Sequence, residues 1–275
     1  MRLGVHVQQF REPVAGSVLT EAAAAAEDAG ADDIWVSDHL ILPVGSTRPP
    51  ASFHDPLTVL TWAAAATRRV SLGTSVLVAP YRHPVALAKS LASLDALSGG
   101  RVIAGLASGW MESEFAALGV PFRERGSRTD EALVVCRALW SGETSVKTRR
   151  VRVEGMRLLP AAARPGGPPI WIGGNAEAGI RRAARAGDAW HTTISDPERL
   201  APLIQVLDGA LEAAGRTRGG GFTLSVRVRA DVDRVAELAP RLAALGVDHL
   251  LVDPPAFQGP EAFGREVEKL RSAVG

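Results

Sequence analysis

Ser37-Asp38-His39 is the tripeptide of this chain whose residue types are best suited to chemistry. An imidazole exchanges or orients a proton near neutral pH, and a carboxylate beside it tunes its charge. The tripeptide closes a short apolar run, Asp33-Ile34-Trp35-Val36, that reads as a second β-strand. In an ordinary loop such a pair would be a capping aspartate and a packed imidazole. At the C-terminal end of a buried strand in a parallel barrel, it stands where such folds keep their reactive groups.

Other strand ends carry the same kind of signal more weakly. Gly73 and Ser75 are small, so a bulky group can approach the third strand, although barrel taper also favours small residues. Leu106-Ala107-Ser108-Gly109-Trp110 ends the fourth strand with small residues and one indole, which either roofs a pocket or packs as core. Gly173-Gly174-Asn175-Ala176 ends the fifth and runs into a helix. Free N–H groups at a helix start attract an anion such as phosphate, and a plain strand-to-helix turn uses glycine equally well.

Strand-like and helix-like segments alternate from end to end. Strands are expected around Val5, Ile34, 70–75, 101–106, 169–172, 189–190, 222–229 and 249–252. Helices are expected over 17–29, 56–66, 84–97, 127–140 and 261–274 and in the remaining gaps. The stretch 142–168 is irregular, with a small exposed hairpin over 146–157. About eight β-α units point to an α/β fold, a (β/α)8 or TIM barrel over 1–275 as one domain with a short insertion before strand five. An open doubly wound sheet is the alternative, but its G-x-G-x-x-G fingerprint after the first strand is absent. The loop from Gly215 to Gly221 reads as a connection rather than a phosphate cradle.

The chain has 275 residues, 22% charged, 46% hydrophobic, with a net charge of +1. That balance offers nothing to nucleic acid or an anionic membrane. The one cysteine, Cys136, lies in a helical pattern and reads as packing, which fits a reducing cytoplasm. The expected location is cytoplasmic: the chain opens on a strand rather than a signal peptide, and no apolar run approaches the ~20 residues that span a bilayer.

The motifs together resemble the luciferase-like monooxygenase family, whose members bind FMN or the deazaflavin F420. The resemblance rests on Ser37-Asp38-His39-Leu40, 72–76, 105–110, 124–131, 168–174 and 182–190, in family order across most of the chain. It implies a luciferase-like barrel with the flavin-type ring at its C-terminal mouth. Asp38 would then lie near the ring, and His39 would handle a proton or orient the substrate. A non-proline cis peptide at Ser75–Val76 would back the ring. Ala107, Ser108, Gly109 and Ser113 would touch the cofactor, and Gly174, Asn175, Ala176, Ala178 and Gly179 would hold its phosphate. Sugar-phosphate dehydrogenases of the F420 branch carry glutamate where this chain has Trp110, which cannot donate a carboxyl proton.

The resemblance favours the F420 branch, because of the Ser-Asp-His motif, the single-chain size and the short insertion. The implied function is an oxidoreductase passing a hydride between F420 and an organic small molecule. The alternative is an FMN-dependent monooxygenase using reduced flavin, oxygen and a separate reductase. Phe53, His54, Trp110 and His191 are candidates for the substrate side. The family habit implies a homodimer. Two other classes are weighed: a metal-dependent barrel hydrolase using His6, His39, His191 and His249, and a non-catalytic flavin-binding barrel. The first lacks an H-x-H on strand one and a completing ligand set, so no metal is expected.

Overall fold

The computed structural model describes residues 1–9, 14–47, 49–50, 52–255 and 257–275. Its elements run β1 (Arg2–His6), α1 (Gly16–Asp28), β2 (Asp33–Val36), α2 (Pro56–Ala66), β3 (Ser71–Thr74), β4 (Leu77–Val78) and α3 (Pro84–Ser98). Then come β5 (Val102–Ala107), α4 (Glu112–Ala117), α5 (Arg125–Trp140), β6 (Val146–Lys147) and β7 (Arg152–Val153). β8 (Ile170–Gly173), α6 (Glu177–Ala186), β9 (Ala189–Thr192), α7 (Pro197–Ala213), β10 (Thr223–Val228), α8 (Val232–Ala244), β11 (His249–Val252) and α9 (Pro260–Val274) complete the chain.

The main sheet closes on itself. Its order is β3-β2-β1-β11-β10-β9-β8-β5, and β3 pairs back onto β5 through Leu72–Val102 and Gly73–Ile103. Each of these pairings is parallel. Burial on both faces explains the near-continuous apolar runs: β2, β8, β9 and β11 are buried along their whole length. The result is the eight-stranded α/β barrel expected from the alternation. β6 and β7 form the small antiparallel hairpin of the insertion before β8.

The strand after α2 is split. β3 and β4 both pair with β5, and Ser75 and Val76 lie between them with their peptide bond cis. The offset turns Ser75 and Val76 toward the barrel mouth, where both line the main cavity.

Two core layers separate the site from the rest. Outside the barrel, Leu, Val and Ala side chains fill the space between strands and helices, and α1 packs Leu19, Ala22, Ala23 and Ala26 inward. Inside, Trp35, Ile103, Trp171, Ala189 and Leu251 form a plug. Trp35 stacks on His191 with ring centroids 5.4 Å apart. Gly4 and Gly73 admit that indole, since a Cβ on either would collide with it. Cys136 is buried on α5 and its thiol is pushed up to about 12 by desolvation, so it is packing and not a nucleophile.

Candidate active site

A cavity of about 660 Å³ opens at the C-terminal ends of the strands. It is lined by Asp38 and His39 after β2, Ser75 and Val76 before β4, and Ala107, Ser108, Gly109 and Trp110 after β5. Gly174, Asn175, Ala176, Ala178 and Gly179 at the start of α6, and His191 on β9, line it as well, whereas Ser113, Phe53 and His54 do not. Five distant segments therefore converge on one space, of a size that suits a cofactor.

His39 is held from behind. Its Nδ1 lies 2.8 Å from Oε2 of Glu114 on α4, a carboxylate only 1% exposed. Glu114 also accepts from the Tyr81 hydroxyl at 3.0 Å and from the backbone N–H groups of Leu40 and Ile41 at 2.8 and 3.3 Å. Burial alone would raise the Glu114 carboxyl. The His39 hydrogen bond and the Leu40 and Ile41 N–H groups outweigh it and hold the pKa below the ordinary glutamate value. An ionised acceptor beside Nδ1 requires a proton on that nitrogen, so Nε2 is the ring nitrogen left to exchange a proton. Phe53 and Trp110 flank the ring edge-to-face at centroid distances of 5.0 and 6.1 Å. Trp110 is 65% exposed and stands at the rim rather than in the core.

Asp38 has a different role from the one expected of a pair with His39. Its two oxygens accept from the Arg82 guanidinium at 2.6 and 3.0 Å, and Oδ2 also accepts from Val78 N–H at 2.9 Å. The carboxylate next to His39 in sequence thus anchors β4, and the carboxylate on the imidazole comes from Glu114. Burial pushes the Asp38 carboxyl up, against the opposing pull of Arg82.

Three more residues differ from expectation. Ser113 is exposed on the outer side of α4 and does not line the cavity. His54 turns away, its Nε2 3.1 Å from the Val14 carbonyl. His191 does line the cavity, but as its floor, with Nε2 2.8 Å from Ser75 Oγ and Nδ1 2.7 Å from Ser225 Oγ. Ser225 in turn shares a hydrogen bond of 2.7 Å with His249 Nδ1. Burial drives the His191 pKa well below its ordinary value, aided by the His249 and Arg227 charges, so it is a neutral structural bridge. The Asn175 side chain is spent on Thr193 and Thr192 of the β9 end, which leaves its backbone for the cavity.

The far end of the cavity suits an anion. α6 begins at Ala176 with no side-chain cap, whereas Asp55, Asp196 and Asp231 cap α2, α7 and α8. Gly174 takes φ +139°, and a Cβ on Gly179 would lie 3.4 Å from the Gly174 Cα, so both glycines keep this cradle open. Arg125 and Arg182 line the same end. Arg182 is tied to Asp130 at 2.8 Å, while Arg125 has no carboxylate partner among the described residues.

Sequence reasoning missed Glu114, Tyr81, Arg82, Arg125, Arg182 and Arg227. A signal for Arg227 existed. On β10 the apolar Leu224, Val226 and Val228 are buried, while Ser225 and Arg227 alternate with them and point into the barrel. Among the described residues, no three His, Cys, Asp or Glu side chains gather as a metal-ligand set. No helix among them is long and apolar enough to cross a membrane.

Comparison with known proteins agrees with this geometry. The profile of the luciferase-like monooxygenase family matches residues 2–270. An F420-dependent glucose-6-phosphate dehydrogenase of Kineococcus radiotolerans is 36% identical over 236 residues, covering 81% of this chain and 66% of the relative. An F420-dependent hydroxymycolic acid dehydrogenase of Mycobacterium tuberculosis is 35% identical over 217 residues, covering 78% of this chain and 59% of the relative. This chain thus spans about two thirds or less of the length of those two relatives. A solved F420-dependent secondary alcohol dehydrogenase, holding an F420-acetone adduct, superposes with TM-score 0.83 at 19% identity over 100% of this chain and 99% of that one. With the profile spanning nearly its whole length, the chain belongs to the luciferase-like monooxygenase family.

Proposed function

We propose that the protein is an F420-dependent oxidoreductase, with hydride passing between the deazaflavin and a small organic alcohol or carbonyl compound. One observation carries the reading: His39 lines the cavity with its Nδ1 fixed by buried Glu114. The names of the two relatives at 35–36% identity support the choice of cofactor. Ser75, Val76, Ala107, Ser108 and Gly109 would hold the ring, and Gly174, Ala176, Ala178 and Gly179 with Arg125 its phosphate. The open cradle at Gly174 and Gly179 fits that assignment.

When bound, F420 supplies a two-electron hydride acceptor or donor. The chain's own part is proton handling and orientation. In the oxidative direction His39 Nε2 would take the hydroxyl proton of the alcohol, while bound F420 would be the acceptor of its carbinol hydride. Glu114 stabilises the imidazolium that results, because it is already ionised and held by four donors. In reverse, the same imidazolium returns the proton to the carbonyl oxygen. Trp110 lacks a carboxyl, so the acid-base function falls on His39. The reading includes a homodimer, supported by the exposure of Trp62 on α2 and Leu97 on α3; sedimentation as a monomer would contradict that part.

The test is anaerobic oxidation of reduced F420 with a panel of ketones and aldehydes, run beside oxygen uptake with reduced FMN. Turnover with F420 that is lost in His39→Gln supports the reading. Turnover with reduced FMN and oxygen alone replaces it with the monooxygenase.

A further inference from the structure

A second cavity, of about 830 Å³, adjoins the first at the mouth. The two share Ser37, His39, Trp110 and Arg227, so they meet at the imidazole. Its apolar wall is built from Phe53 and Trp110 with Pro49 and Pro50.

Among the described residues its charges do not cancel. Arg227 donates from Nη2 to Asp253 at 3.0 Å and from Nη1 to Ser37 Oγ and the Ser75 carbonyl, each at 3.0 Å. Asp253 is the lone carboxylate among the described residues lining this cavity, and Arg227 neutralises it. Arg229 stands two residues further along the same strand direction and lines the same cavity. It has no ion pair and no hydrogen bond among the described residues, whereas the nearby Arg234 pairs with Glu237. Among the described residues, the exposed Arg229 guanidinium therefore has no carboxylate partner, and it faces a cavity with one apolar wall that ends at His39. A guanidinium is a planar fork suited to carboxylate and phosphate oxygens, and its pull strengthens beside low-dielectric walls.

We propose that this second cavity is the substrate site and that it selects organic anions. The carboxylate or phosphate group of the substrate is held by Arg229, its carbon body lies between Phe53 and Trp110, and its alcohol or carbonyl carbon is presented at His39. The proposal rests on the oxidoreductase reading only for the role of His39; the anion site stands on the charge and shape of the cavity.

The test uses three probes of one carbon skeleton: cyclohexanol, cyclohexanecarboxylate and cyclohexyl phosphate. Their binding to the whole protein is measured by calorimetry and ligand-observed NMR, with and without F420, in wild type, Arg229→Gln and Arg229→Lys. At least one anion should bind about ten-fold or more tightly than the alcohol. Arg229→Gln should erase most of that margin while leaving the alcohol unchanged, and Arg229→Lys should keep part of it. Which anion wins tells carboxylate from phosphate. Equal binding of anion and alcohol overturns the proposal, as does a margin that survives in Arg229→Gln. Displacement of the anion by F420 also overturns it, since the anion would then occupy the cofactor cavity. F420 binding is read separately by fluorescence. A failure there, with the Arg229-dependent margin intact, removes the cofactor reading and supports the anion site.

Discussion

Glu114 Oε2 and His39 Nδ1 stand 2.8 Å apart although 75 residues separate them in the chain. The carboxylate is fully covered and the imidazole opens to the cavity, so the pair has a buried orienting end and an exposed reacting end. His39→Gln should therefore lower turnover by about 10²–10⁴-fold, the usual worth of a positioned acid-base group, with F420 binding retained. Steady-state rates with a separate fluorescence titration check this. Unchanged turnover would remove His39 from the reaction.

Glu114→Gln tests positioning separately. The amide keeps the volume and can still accept a hydrogen bond, but loses the charge that favours the Nδ1–H tautomer and the imidazolium. Turnover should fall while F420 binding holds, because the imidazolium formed in turnover is no longer stabilised. Glu114→Ala should also cost about 3 kcal/mol of stability, since Tyr81 and two backbone N–H groups lose their acceptor. A Gln variant with unchanged turnover would make Glu114 merely structural.

Asp38 predicts the opposite split. Asp38→Ala leaves the mostly buried Arg82 without its two strongest bonds and frees Val78 N–H, a loss of about 3–5 kcal/mol. Denaturant melts should show it. The pH dependence of any remaining turnover should be unchanged, because Asp38 does not touch the His39 ring.

The start of α6 gives a prediction in which stability and binding diverge. Ala176 has extended backbone angles at the N-cap and no side-chain cap. Ala176→Asp should stabilise the fold by about 1 kcal/mol through the new cap and the helix dipole. The same carboxylate would occupy the proposed phosphate cradle and weaken F420 binding by about ten-fold or more. A stabilised variant with unaltered F420 affinity would place the phosphate elsewhere.

The buried histidines set an acid limit. Burial and the Arg227 charge bring the His6 pKa down to about 3, and burial drives His191 down as well. Both are neutral in the native protein and take up protons near pH 6.5 once unfolded. The unfolded chain thus binds more protons between roughly pH 3 and 6.5, and stability is complete above that window and lost as pH falls through it. His6 contributes about 1.4 kcal/mol per pH unit inside the window, and His191 adds to the loss in the same direction. Glu114, held below its ordinary value, adds a loss below about pH 4.5 in the same direction. The raised Asp38 carboxyl works in the other direction. Thermal melts should be flat above pH 6.5 and fall steeply below it; a flat melting temperature through pH 5 would contradict the assignment.

The barrel was legible because its signal is local and repeated. Buried strands such as Ile170–Gly173 and His249–Val252 read as apolar runs, and glycine or an aspartate cap marks several helix ends. α4 was not legible: six residues are too few to display a helical period. Glu114 was lost with it, and its partner lies far away in sequence. The residues lining the cavity were largely legible, since strand ends of a parallel barrel converge on one mouth. What each does there was not. Asp38 looked like the partner of His39 by adjacency, but neighbouring residues in an extended segment point to opposite sides, and Asp38 turned to Arg82.

The most direct measurement is a fluorescence titration of the purified protein with F420 and FMN side by side, in wild type and Ala176→Asp. The account predicts micromolar F420 binding, weak FMN binding, and loss of F420 affinity in the variant. Tight FMN binding with none of F420 would contradict it, and so would binding of neither.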